Sequence, residues 1–366
     1  MKIPSVFESR LKPGIVSPGK PFVVCGAGIP EMGMVKSVES AGGGKPVVCL
    51  LEKDMESIWG IPVISIDDLL KMEKDTLVLI SVLYAPFELY RILSEHGFTN
   101  IYSVGDLHLV NPYLAERQDS SFAKKMVAEN GDNIRKARNL LADEKSKEIF
   151  DTRLEVSQTG EWEKLERLWE DEQYFVKDII HLDKGNEVFV DCGFYDFRNS
   201  MEFIFKTGGE YGHIYAFDMY APFLRSAELV IQSYGIKNVT LFNTALGDKK
   251  RKAMQDLSFA GSCPVISLDG DVLCQMDSLD NILFDLPLRP TFIKTDVEGM
   301  DLQAVKGAKK MIQRDKPKLA ISAYHLLEHL WMIPLLIHEL EPSYKLYMRH
   351  HLRSMYETVC YAVAPK

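Results

Sequence analysis

Apolar residues occur along the chain in short runs separated by longer amphipathic stretches, a pattern that predicts strands alternating with helices. The first run, Pro21 to Cys25 (PFVVC), passes directly into Gly26, Ala27 and Gly28. A helix-compatible segment then leads to a second run, Pro46 to Leu51. This is a βαβ opening. Runs at Asp75 to Val82 and Asn100 to Val104 flank an amphipathic stretch, Phe87 to His96, so residues 1–115 are expected to form a small Rossmann-like, nucleotide-binding type of domain. Between Asn111 and Lys184 strand signals vanish, charges become dense, and Trp162, Leu165, Leu168 and Trp169 recur at helical spacing. Residues 116–182 are therefore read as a helical connector whose tryptophans pack on a neighbouring domain.

From residue 183 to 366 the strand pattern returns. Candidate strands are Glu187 to Cys192, His213 to Asp218, Val239 to Asn243, Thr291 to Asp296, Lys318 to Ala323, Tyr344 to His350 and Glu357 to Val363. The first five are separated by enough chain for crossover helices. The short link Leu352 to Tyr356 between the last two permits only an antiparallel hairpin. Five parallel strands closed by a hairpin make an α/β fold with the seven-stranded, Rossmann-like sheet of class I methyltransferases.

Composition narrows the functional classes. Hydrophobic residues make up 46% and charged residues 26%, as in a globular protein. The net charge of -9 argues against a nucleic-acid partner, since there is no basic excess to release counterions from a phosphate backbone. Six scattered cysteines without a CxxC pair suggest a reducing compartment. No stretch approaches the ~18 apolar residues needed for a membrane span, so a cytoplasmic protein without a membrane partner is expected. Oligomeric state is open, and a homo-oligomer is compatible with the sequence.

Candidate chemistry lies at strand ends, where open α/β sheets bind ligands. Asp191 and Gly193 close the first strand of the C-terminal set, and Asp218 closes the second, placed to accept hydrogen bonds from ribose hydroxyls. Its alternative is a helix N-cap. In Phe292-Ile-Lys-Thr-Asp-Val-Glu-Gly299 the side chains of Lys294, Asp296 and Glu298 alternate and project to one side. They form either a reactive set or a structural charge network. His325 follows the fifth strand as a candidate base or a satisfied structural histidine.

These residues carry a resemblance. The segments IKTDVEGMDLQAVKGAKKMI, KPKLAISAYHLLEHLWMIPLLI, YKLYMRHH and ETVCYAV, in this order, resemble the FkbM family of methyltransferases. The likeness extends back through EQYFVKDII and SKEIFDTRLEVSQTGEWEKL to about residue 143. It implies S-adenosyl-L-methionine as donor and a hydroxyl of a small molecule or sugar as acceptor. It further implies donor contacts from Asp191, Gly193, Tyr195, Asp218 and the loop Asn243 to Ala245, with Lys294, Asp296, Glu298 and His325 facing the reacting groups. With an ordinary imidazole pKa near ~6.5, His325 would be the favoured base and Asp296 its replacement.

The chain departs from the family pattern after Asp218, where Met219-Tyr220 stands and a proline is common, and at two positions of the loop after the first strand of this set. Phe197 stands where a glycine is usual and Asn199 where threonine is. A bulky aromatic there would block the methionine end of the donor, or else an aromatic of this loop would pack beside the sulfonium. The first outcome leaves a noncatalytic binding protein as the alternative. A third reading, a nucleotide-linked enzyme, rests on Gly26, Gly28, Gly33 and Glu52. The string His325-Leu-Leu-Glu328-His329 matches a zinc motif, but it begins at a strand end with little chain left for another ligand, so no metal is expected.

Overall fold

The computed structural model describes residues 16–26, 35, 38–39, 42–50, 55–58, 60–80, 86–102, 120–256, 265–266, 272–353 and 355–365. Six strands form the first sheet: β1 (Phe22–Cys25), β2 (Pro46–Cys49), β3 (Ser57–Ile58), β4 (Ile61–Ile64), β5 (Leu77–Ile80) and β6 (Ile101–Tyr102), in the order β3-β4-β2-β1-β5-β6. FVVC and LVLI are buried throughout, as befits central strands of a parallel sheet covered on both faces. The hairpin of β3 and β4 is absent from the sequence reading because it has only six strand residues, which turn at Gly60 with φ 78°. Gly26 lies at the end of β1, while Ala27, Gly28, Gly33 and Glu52 lie outside the described residues.

The connector is helical as expected, with helices at Ser120–Glu129, Gly131–Leu140 and Glu144–Thr159. Asp143 caps the last of these by accepting from Ser146 N at 2.7 Å, and Gly160 ends it at φ 78°. Trp162–Leu168 is a 3-10 helix, in which residues three apart fall into one row, so Trp162, Leu165 and Leu168 are all buried. Trp169 donates from Nε1 to the carbonyl of His351 at 3.0 Å, tying the connector to the far edge of the last sheet.

That last sheet contains β7 (Val188–Cys192), β8 (His213–Asp218), β9 (Val239–Asn243), β14 (Phe292–Thr295), β15 (Lys318–Ser322), β16 (Lys345–His350) and β17 (Thr358–Val363). Its order is β16-β17-β15-β14-β7-β8-β9, with β17 antiparallel to both its neighbours. Each of the seven strands inferred from sequence is present. Phe189 anchors the sheet between Phe203, stacked at 4.7 Å, and Phe292 at 5.1 Å. Burying one such ring contributes roughly 1.5–3 kcal/mol.

One region departs from expectation. Where sequence spacing left room for a crossover helix after β9, the chain builds a side sheet from β10 (Ala245–Leu246), β11 (Arg251–Asp256), β12 (Val265–Ile266) and β13 (Val272–Asp277), ordered β10-β13-β11-β12. Strands such as RKAMQD have too few apolar residues to announce themselves; pairing β11 antiparallel to β13 sets them. Only the short helix Leu279–Leu283, capped by Ser278, leads back into β14.

Candidate active site

The chain order reverses at β7: β8 and β9 extend the sheet one way, β14 and β15 the other. In open α/β sheets such a reversal leaves a crevice outside the carboxyl ends of the strands, the place where they take ligands, here at β7 and its neighbours. Gly193 adopts φ 79° just after β7, and a Cβ there would collide with the carbonyl oxygen of Asp296. Asp296 N in turn donates to the Cys192 carbonyl at 2.9 Å. The loops after β7 and β14 are thus locked together by backbone contact that only glycine allows.

On the β8 side, Asp218 accepts from Tyr195 N at 3.2 Å through Oδ2 and from Tyr220 N at 2.9 Å through Oδ1. Burial pushes its carboxyl up to about 6, against the pull of those two amides. Its own carbonyl accepts from Thr244 N at 3.0 Å and Asn243 Nδ2 at 3.2 Å, which brings the 243–245 loop alongside. Ala245 is buried at the start of β10. Tyr195 is exposed at the rim, its ring 4.7 Å from that of Phe223. Gly193, Tyr195, Asp218, Asn243 and Ala245 therefore share one end of the crevice.

Asp191 and Lys294 do not open to it. Their charged groups lie 3.1 Å apart with no exposed side-chain surface, so the expectation that Lys294 faces the reacting groups is not met. Lys294 Nζ donates to the Gly193 carbonyl at 2.7 Å, and Asp191 accepts from Ser200 Oγ at 2.7 Å. Burial works to lower the Lys294 pKa, but Asp191 and Asp296 together hold it above the ordinary value. The pair fastens the loop after β7 from beneath; its registry, Lys294 beside Asp191 on adjacent strands, is what the sequence alternation could not reveal.

On the β14 side, Asp296 accepts from Tyr174 OH and from Tyr324 OH, each at 3.0 Å. His325 Nε2 lies 3.4 Å from Asp296 and 3.5 Å from Glu298, while Nδ1 donates to Asp301 at 2.8 Å. Asp301 is itself fixed by Thr295 Oγ1 at 2.9 Å and Val297 N at 3.2 Å. Burial alone would lower the imidazole pKa, yet Asp301 first, then Glu298 and Asp296, raise it to about 10. The premise of an ordinary imidazole therefore fails: at neutral pH His325 is a cation. Asp296 and Glu298 keep 22% and 29% of their side-chain surface against 6% for His325, so the carboxylates are the groups presented to the crevice.

Sequence reasoning missed Tyr174, Tyr324, Asp301 and Glu357. Glu357, half-buried at the base of β17, accepts from Gln173, and burial with the nearby Asp296 lifts its carboxyl to about 8. Tyr324 and Asp301 stand beside quoted motif residues and were within reach of a closer look. Tyr174 reaches Asp296 across 122 residues of sequence, and no local signal announces that. Backbone strain also concentrates here: Tyr174, Tyr195, Phe197, Glu298 and Glu357 all hold positive φ, between 51° and 65°, conformations that persist where the surroundings over-determine them.

Phe197 occupies φ 65°, which accounts for the glycine usual at this position. Its ring is fully buried among Phe194, Phe203 and the aromatic residues under β7, on the core side of the loop. His325 and His329 do not form a metal centre with Glu328; among the described residues no group of three or more His, Cys, Asp or Glu side chains could hold a metal ion. Also among them, no helix is long and apolar enough to cross a membrane.

This strand order, with its reversal at β7, is the class I methyltransferase fold. Among solved structures, the chain is similar to the methyltransferase FkbM from Methylobacillus flagellatus KT, with a TM-score of 0.68 and 22% identity, over 94% of this chain and 90% of that one. Over that length the chain shares the fold of the FkbM structure. More distant matches include a methyltransferase from Streptococcus mutans in complex with SAH (TM-score 0.33, 13% identity, 51% of this chain and 93% of that one) and a SAM-dependent methyltransferase from Aquifex aeolicus (TM-score 0.32, 14% identity, 57% and 97%). No family model and no curated protein matches the sequence.

Proposed function

We propose that the chain is an S-adenosyl-L-methionine-dependent methyltransferase acting on a hydroxyl of a small molecule or sugar. The observation that carries this reading is the placement of Asp218 and Asp296 at the ends of strands on either side of β7, bridged by the Gly193 turn that packs directly on Asp296. Asp218 suits the ribose hydroxyls of the donor: each carboxylate oxygen accepts one amide and keeps a lone pair for a ligand. Tyr195 and the 243–245 loop border the same end.

The bound donor would supply a methyl group on a sulfonium, a good leaving group, so the protein's part is to position the acceptor in line and to receive its proton. Asp296 is the acid best placed to receive it, exposed to the crevice and oriented by Tyr174 and Tyr324. His325, already protonated, balances the charge of Asp296 and Glu298 instead of serving as base. The Phe197 ring packs in the core, which supports a catalytic over a noncatalytic reading.

Calorimetric titration with S-adenosylhomocysteine, followed by transfer assays using labelled donor over a panel of hydroxylated acceptors, tests the proposal. Binding that is lost in Asp218→Ala is the expected result. A wild-type protein that binds neither donor nor product overturns it.

A further inference from the structure

Arg153, in the helix Glu144–Thr159, is only 4% exposed, yet its Nε and Nη1 have no hydrogen-bond partner among the described residues. The acids nearest to it in sequence are engaged elsewhere: Asp151 pairs with Arg138 at 2.8 Å and Glu155 with Lys164 at 2.6 Å. One face of the guanidinium is covered by the Trp162 ring, 5.3 Å from its centroid. That contact holds the group in place but satisfies none of its in-plane donors. Burial also drags its pKa down to about 10, with only Tyr356 acting the other way. A buried cation without a counter-ion is costly and is seldom retained for packing alone.

Its surroundings connect it to the crevice. Tyr356, within electrostatic range of Arg153, packs edge-on against Tyr324 with ring centroids 6.0 Å apart, and Tyr324 donates to Asp296. Tyr356 and Tyr324 therefore form a wall of two packed rings that starts at the proton-accepting carboxylate and ends within electrostatic range of the guanidinium. The two ends of this wall have opposite charge: carboxylates at Asp296 and Glu298, a lone cation at Arg153.

We infer that Arg153 binds an oxyanion, carboxylate or phosphate, carried by the acceptor molecule. Together with Nη2, either of the two unsatisfied nitrogens completes a planar fork of parallel N–H groups for two oxygens at once, the geometry both anions share. An acceptor held there by its anionic end would lie along the tyrosine wall with a hydroxyl reaching Asp296. The inference rests on the methyltransferase reading for the identity of the ligand, but the anion site itself does not require the donor.

The test uses inorganic phosphate and malonate as probes on the full chain, with thermal unfolding and calorimetry for wild type, Arg153→Met and Arg153→Lys. At saturation one of the anions should raise the wild-type Tm by about 3 °C or more, and which one does so separates a phosphorylated from a carboxylated acceptor. Both variants should lose at least about tenfold in affinity for it. Without anion, Arg153→Met should melt no lower than wild type, because it removes an uncompensated buried charge of similar volume. No response of the wild type to either anion, or an equal response in Arg153→Lys, overturns the inference. Binding of S-adenosylhomocysteine is read on the same samples. Donor binding without an anion response sinks this inference alone, whereas an anion response without donor binding sinks the methyltransferase reading.

Discussion

Asp301→Asn is the substitution that most directly probes the charge arrangement. Its carboxylate lies 2.8 Å from His325 Nδ1. At an effective dielectric of 20 such a pair interacts by about 6 kcal/mol. Since one pKa unit is about 1.4 kcal/mol, that is more than enough to account for a rise from the ordinary ~6.5 to about 10. Asparagine keeps the shape and the acceptor for Thr295 and Val297, but its amide donates toward Nδ1 and favours the neutral ring. His325 should therefore titrate at or below the ordinary histidine value in the variant. The linkage to stability follows in sign: a histidine raised in the fold stabilises fully below ~6.5, and the contribution fades as pH rises through about 10. Wild type should lose stability between pH 7 and 10 more steeply than Asp301→Asn. NMR titration of carbon-labelled histidines, with His325→Asn for assignment, reads the pKa; urea unfolding across the same pH range reads the linkage. A wild-type His325 that titrates near 6.5, or one unmoved by Asp301→Asn, would refute the electrostatic account.

Further outcomes follow from the same geometry. Phe197→Gly should relieve about 1 kcal/mol of left-handed strain but lose roughly 3–5 kcal/mol of buried ring, a net destabilisation seen by urea unfolding; donor affinity should stay within about threefold, and a gain beyond that would restore the blocked-loop reading. Tyr174→Phe removes one of the two phenols that orient Asp296 and should lower kcat about tenfold with little change in donor affinity; an effect confined to donor binding contradicts the assignment. His351 is buried as the neutral ring, donating to the Glu170 carbonyl at 3.0 Å and accepting from Tyr361 OH at 2.7 Å, with burial lowering its pKa to about 4. Its contribution to stability should be present above ~6.5 and decline as pH falls towards 4. His351→Gln should flatten that slope, and an unchanged slope would exclude it as the source.

The central strands of the two largest sheets are legible from sequence because central parallel strands are buried on both faces, and FVVC, LVLI, VFVDC or KLAIS cannot be mistaken for surface. Asp218 and Asp296 are legible for a related reason: a carboxylate ending an apolar run must emerge where strands open to solvent. The side sheet from β10 to β13 was not, because its strands are short, mixed in polarity and defined only by their partners.

What sequence alone determined is thus the layout, seven strands with the last two joined as a hairpin, and the strand ends at which chemistry can occur. Tertiary structure decided which of those groups face the crevice and in what charge state. Lys294 alternates correctly with Asp296, yet its registry beside Asp191 on the neighbouring strand turns the two on each other. His325 is an ordinary histidine until Asp301, at the start of the helix that follows β14, is placed 2.8 Å away. Tyr174 enters the site from 122 residues upstream. Periodicity reports burial because burial repeats along the chain, whereas a pKa or an ion pair depends on a few ångströms between residues that the sequence keeps far apart.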